Sequence, residues 1–259
     1  MFESLSVSLA QLSNTVWHAA SLASAAGLTV ASGHAVLDAQ LPGGGWPVGG
    51  ICEILQAHGE HNEWRLLLSA LKRVVGVAGQ SSAVVLVGAP HVPFGPGLAA
   101  QGLDPRRLVQ VIASAPAERL WVAEQSLRCA AVQAVLAWLP QVQADQLRRL
   151  QMTAHANSKL LFVMRPVQAR AESSPAVLRL LLASQSQSDA LQLHILKRRG
   201  RPLAQALALP GRAVRLSALL ASGNRPACPA PAAESASSAC VIDLLQGMRD
   251  VVGRTASAA

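Results

Sequence analysis

The chain of 259 residues has no tyrosine, three phenylalanines and five tryptophans, so aromatic residues make up only 3% of it. That scarcity argues against a platform of aromatic rings of the kind on which single-stranded bases stack. The four cysteines, Cys52, Cys129, Cys228 and Cys240, show no C-x-x-C spacing, which fits a reducing compartment better than a disulfide framework. Met1-Phe2-Glu3-Ser4 lacks the basic and apolar regions of a secretory signal. Charged or polar residues break every apolar run before the roughly 18 residues a membrane span requires. A soluble cytoplasmic protein with no membrane partner is the expectation.

What is present is apolar but light. Hydrophobic residues make up 51% of the chain, much of it alanine, so the core must be built from Leu, Val and Ala layers. The length suits one α/β domain with short appendages. The net charge of +8 is unevenly spread, with 7 basic and 8 acidic residues in 1–140 against 15 and 6 in 141–259. The basic second half favours a polyanion or an acidic protein surface, or is simply a solvated face.

Leu5, Leu9, Leu12, Val16 and Ala20 recur at helical spacing, so residues 1–30 read as an N-terminal helical segment. The dense turn sequence Leu41-Pro42-Gly43-Gly44-Gly45-Trp46-Pro47-Val48-Gly49-Gly50 then delivers the chain into Ile51–Leu55, a short strand. After a polar loop from Gln56 to His61, the residues Trp64, Leu67, Leu68, Leu71, Val74, Val75 and Ala78 share one helical face, with Arg65, Ser69, Lys72 and Arg73 facing out. Ala83–Gly88, Leu108–Ala113, Val132–Trp138 and Leu160–Met164 are apolar runs of strand length without alternation, the pattern of strands buried on both faces.

Helical patterns at about 117–130, 143–157 and 175–186 separate or follow these runs, which predicts a mostly parallel, doubly wound sheet. Leu191–Leu196 and Leu203–Leu209 straddle a basic turn and read as an antiparallel edge pair. This core spans 31–222. Residues 223–240 collapse to Ala, Ser, Pro, Gly and Asn, a flexible linker, and residues 241–259 carry an amphipathic helix with Val241, Leu244, Leu245, Met248 and Val252 on one face.

In such a sheet a phosphate-binding loop would follow the first core strand and open onto a helix. The placement is right and the chemistry is wrong. A Walker-type loop needs close-approach glycines, a lysine for the β/γ-phosphates and a hydroxyl for magnesium. The chain offers Gln56-Ala57-His58-Gly59-Glu60-His61-Asn62-Glu63, with one glycine and no lysine. Nor does Val135-Leu136-Ala137-Trp138-Leu139-Pro140 end in the carboxylate a Walker B strand requires. His58, Glu60, His61 and Glu63 are crowded in sequence but match no standard zinc spacing, so no metal and no cofactor are assigned and the loop reads as polar surface.

The segment Ser32–Ile54 resembles the approach to the RecA ATPase core, and more closely that of the ImuA family, RecA-like proteins of bacterial translesion-synthesis cassettes. The resemblance runs from about 30 to 212 and includes Gly88–Phe94, Gly102–Leu108, Leu120–Arg128 and Val135–Pro140. In its frame Asn62 stands at the lysine position and Glu63 at the hydroxyl position, setting a carboxylate where a triphosphate would sit. Two like charges about 4 Å apart at an effective dielectric near 20 oppose each other by roughly 4 kcal/mol. The position resembling RecA's catalytic glutamate falls near Pro90-His91.

The resemblance implies a RecA-like core without ATPase activity, acting as an accessory protein of SOS-linked, error-prone DNA synthesis. It further implies an ImuB-type polymerase-like partner and, through it, a replicative-type error-prone polymerase. ATP-driven filaments are not expected, while a homo-oligomer of another kind stays open. The connections resembling RecA's DNA-binding loops, Gln141–Ala144 and Arg165–Ser174, are short, yet Arg148, Arg149, Arg165 and Arg170 lie in or beside them and are candidate DNA contacts.

The turn Lys197-Arg198-Arg199-Gly200-Arg201 adds Lys197, Arg198, Arg199 and Arg201 to that set, with an acidic protein surface or plain solvation as the other readings. The C-terminal helix fits a groove on a protein partner or packs back on the body. Two further functions stay in view: a divergent nucleotide-dependent ATPase, and a cell-division inhibitor of the SulA type, which shares the RecA-like ancestry.

Overall fold

In a computed structural model the described residues are 27–77, 82–184, 190–200, 203 and 205–210. The N-terminal helical segment before Gly27, Arg201, and everything beyond Pro210, including the linker and the amphipathic tail, lie outside them.

The apolar runs form the sheet. Strands β3 (Ile51–Gln56), β4 (Ala83–Val87), β5 (Leu108–Val111), β6 (Val132–Trp138), β7 (Leu160–Pro166) and β8 (Leu178–Ser184) are parallel, and β9 (Leu191–Lys197) and β10 (Leu207–Leu209) continue the sheet by antiparallel pairing. The order is β10-β9-β8-β3-β7-β6-β4-β5, so β3 lies between β7 and β8 in the middle. A separate two-stranded ribbon joins β1 (Thr29–Val30) to β2 (Trp46–Pro47).

Burial on both faces explains why these strands do not alternate in polarity. Cys52 and Ile54 of β3, with Leu136 and Trp138 of β6, face the apolar side of α2 (Glu63–Val77), whose Leu67, Leu68, Leu71 and Val75 are buried there with Leu37 of α1 (Ala35–Asp38). Ile51 of β3 and Val135 and Ala137 of β6 face the other way. They pack with Ala123 and Leu127 of α4 (Pro116–Arg128) and Leu147 and Leu150 of α5 (Ala144–Ala156). The layer expected from the leucine spacing of α2 is the one found, although Ser69 and Lys72 are half-buried rather than turned fully to solvent.

The helix expected over 175–186 is instead β8. Its Leu178, Leu180 and Leu182 are buried between β3 and β9. Four leucines in Leu178-Arg179-Leu180-Leu181-Leu182 satisfy either period over so short a span, and pairing on both sides settled it for the strand. Two short helical pieces, α1 and α3 (Gly95–Ala100), and strand β1 of the ribbon arise where the sequence pattern sets no element, and β2 lies within the glycine-rich turn segment.

Candidate functional site

The carboxyl ends of the parallel strands are where open α/β sheets bind ligands. Strand β3 ends there at Gln56, and the loop 57–62 leads into α2. Gly59 takes the left-handed conformation at φ 82°, a backbone state open to glycine at little cost.

The far side of the loop is a buried polar knot. Gln56, Asn62 and Glu63 are all buried, which corrects the reading of Glu63 as polar surface, while His58 and His61 are exposed and Glu60 is half-buried. The Gln56 side-chain amide donates to Glu63 Oε2 across 3.2 Å, and its Oε1 accepts from the Asn62 backbone N–H at 3.4 Å. Asn62 Nδ2 in turn donates to Glu60 Oε2 at 3.4 Å, and Asn62 Oδ1 accepts from Arg65 at 3.2 Å. Glu63 is thus fixed in the first turn of α2, where its negative charge is favoured by the helix dipole. A bound phosphate would be favoured there by the same dipole, so carboxylate and phosphate compete for one place.

On the solvent side His61 meets His91 from the loop after β4. Their Nε2 atoms are 3.1 Å apart and the rings stand edge to face at 87°. Both rings are exposed.

Further back along β3, a charged cluster is hidden inside the sheet. Glu53 of β3 is fully buried, and Arg165 of β7 and Arg179 of β8 close on it at 3.0 Å and 2.8 Å from either side. The parallel register explains the meeting: Glu53 is the direct neighbour of Arg179 on β8 and of Val163 on β7, two residues before Arg165. Arg165 also pairs with Glu172 at 2.6 Å and donates to the Val142 carbonyl at 3.2 Å. Arg179 donates to the carbonyls of Ala169 and Glu172 at 2.8 and 3.0 Å. The cluster therefore ties both connections, after β6 and after β7, to the central strand. Arg165, expected as a DNA contact, is 3% exposed and is unavailable to a phosphate. Its buried carboxylate partner Glu53 lies 112 residues away in sequence, so the burial is not visible from the residues around it.

The other basic candidates divide. Arg148 and Arg170 are exposed. Arg149 is exposed but pairs with Glu124 at 2.6 Å, and Arg128 holds the same carboxylate at 2.6 Å, joining α4 to α5. Burial would raise the Glu124 pKa, and the hydrogen bonds and charges of the two arginines outweigh it and hold the carboxyl below its ordinary range. In the basic turn Lys197 donates to the Ser174 carbonyl at 2.9 Å, and half-buried Arg198 donates to the Gln40 backbone carbonyl and side chain. These two side chains lash the edge hairpin to its neighbours. Arg199 stays exposed and borders a cavity of about 150 Å³ shared with Pro47, Gly49, Gln151 and His155 at the opposite end of β3.

Among the described residues no group of three or more His, Cys, Asp or Glu side chains is placed to hold a metal ion, and no helix is long and apolar enough to cross a membrane. Compared with models of known protein families and with curated protein sequences, the chain matches none.

Proposed function

We propose that this chain is a RecA-like core of the ImuA type that works without nucleotide hydrolysis, as an accessory protein in SOS-linked, error-prone translesion synthesis. The mostly parallel sheet flanked by helices on both faces is compatible with that core. One observation carries the non-catalytic part of the reading. The Glu63 carboxylate is buried in the first turn of α2 and bonded to Gln56, at the place where a triphosphate would need a lysine and backbone N–H groups. Anion binding there would set phosphate against a desolvated carboxylate. The protein then acts through its surfaces, holding an ImuB-type polymerase-like partner and, through it, a replicative-type polymerase.

Exposed Arg148, Arg170 and Arg199 supply cations for DNA phosphates. Contacts of this kind are indifferent to sequence and weaken with salt.

Equilibrium dialysis of the full chain against ATP with magnesium, together with capture of partners from damage-induced cells, tests the reading. No ATP retained and recovery of a polymerase-like protein are the expected results. Micromolar ATP binding would favour a divergent ATPase, and recovery of division proteins alone would favour an inhibitor of the SulA type; either outcome overturns the proposal.

A further inference from the structure

The histidine pair belongs to neither the buried knot nor any surface assigned above. His61 comes from the loop after β3 and His91 from the loop after β4, two segments that only the sheet brings together. With both rings exposed, the pair contributes little hydrophobic burial. A single N–H···N hydrogen bond accounts for the 3.1 Å separation, one Nε2 carrying the hydrogen and the other accepting.

The same separation suits a second occupant. With imidazole to metal distances of about 2.0–2.1 Å, two nitrogens bound at adjacent positions of a square-planar, octahedral or tetrahedral ion lie about 2.9–3.4 Å apart. The spacing therefore fits an ion bound to both nitrogens, which would sit to one side of the line between them, so that each ring tilts to aim its lone pair at the ion. The charges around the pair are mixed: Glu60 shares the loop with His61 and Glu63 opens α2, while Arg65 stands on α2 and Arg119 lies against Gly88 in the loop that carries His91.

We propose that His61 and His91 form a two-histidine binding site for a borderline divalent transition ion of the Zn²⁺, Ni²⁺ or Cu²⁺ kind. The remaining positions of the ion are filled by water or by a donor on a bound partner. Imidazole nitrogen selects such ions over Mg²⁺ and Ca²⁺, which take oxygen ligands. The site bridges the β3 and β4 loops, so a bound ion stiffens the carboxyl end of the sheet. This inference stands apart from the repair function proposed above and survives if that reading fails.

The test uses the full chain without a histidine tag. Zn²⁺ and Ni²⁺ are titrated separately by calorimetry into the wild type and into His61→Gln, His91→Gln and His194→Gln variants, with thermal melts recorded for each. The expected result is one tight equivalent of ion in the wild type and in the His194→Gln variant. Each of the other two variants should bind at least about tenfold more weakly, a loss comparable to that from removing even an outer-shell partner of a metal ligand, while their melts match the wild type. Millimolar Mg²⁺ should not compete. Absence of ion binding, binding unchanged in both His61→Gln and His91→Gln, or displacement by Mg²⁺ would overturn the proposal.

Discussion

Arg165 donates to Glu53 Oε1 across 3.0 Å with both side chains almost completely removed from water, 2% and 0% exposed. A pair buried to that depth is costly to assemble and more costly to break, since removing one member leaves a desolvated charge without its partner. Arg179 closes the other side of the same carboxylate, so Glu53 works as a hub between β7 and β8.

Replacing Glu53 with Met strips two buried guanidinium groups of their shared carboxylate and is expected to destabilise the protein by about 3–5 kcal/mol. Urea denaturation checks this. Exchanging Glu53, Arg165 and Arg179 together for apolar residues of similar size should recover much of the loss. If the single change costs less than about 1 kcal/mol, the cluster is not an energetic hub.

The Glu124 clamp makes a pH-dependent contribution. Its folded pKa is lowered, so the stabilisation is present above the unfolded carboxyl value near 4.3 and is lost as pH falls through the folded one. The difference in melting temperature between the wild type and a Glu124→Gln variant should therefore be largest near neutral pH and should shrink below about pH 4. A difference that grows on acidification would contradict the clamp.

Thiol chemistry should separate two cysteines. Burial pushes the Cys52 thiol far up, whereas Cys129 is exposed at the end of α4. In a Cys228→Ser, Cys240→Ser background a disulfide reagent should modify one thiol rapidly in the folded protein, and the second only under denaturant. Blocking Cys129 first should abolish the rapid phase.

Gly33 has φ 87°, and a Cβ there would lie 2.4 Å from the Ser69 Cβ on α2. Gly33→Ala should cost more than the roughly 1 kcal/mol of backbone strain alone. Adding Ser69→Gly should return part of it by removing the clash, as thermal melts of the double variant would show.

If DNA is bound, the exposed arginines rather than the buried ones should set its salt dependence. Arg148→Gln, Arg170→Gln or Arg199→Gln should each lower the slope of log affinity against log salt by about 1. Arg149→Gln should also reduce stability, because it releases one arm of the Glu124 clamp.

The parallel strands were legible because strands covered on both faces read as mostly apolar runs without alternation, as Val132–Trp138 and Leu160–Met164 do. The helices at α2, α4 and α5 were legible from spacing within one segment. The segment that became β8 was not, since its leucines fit a helix or a strand until β3 and β9 flank it. The loop after β3 showed its missing lysine directly, but not that Asn62 and Glu63 would be buried.

What the sequence determined by itself was local: the periodicity of each segment, the glycine-rich turns, the basic second half, and a polar loop after β3 with one glycine and no lysine. What the tertiary structure decided was every relationship between distant residues. Glu53 meets Arg165 and Arg179, His61 meets His91, and Arg198 reaches Gln40 because strand order and register set which side chains become neighbours. Period and propensity act within a few residues along the chain. Whether an arginine faces a phosphate or a buried carboxylate depends on which strands lie beside it.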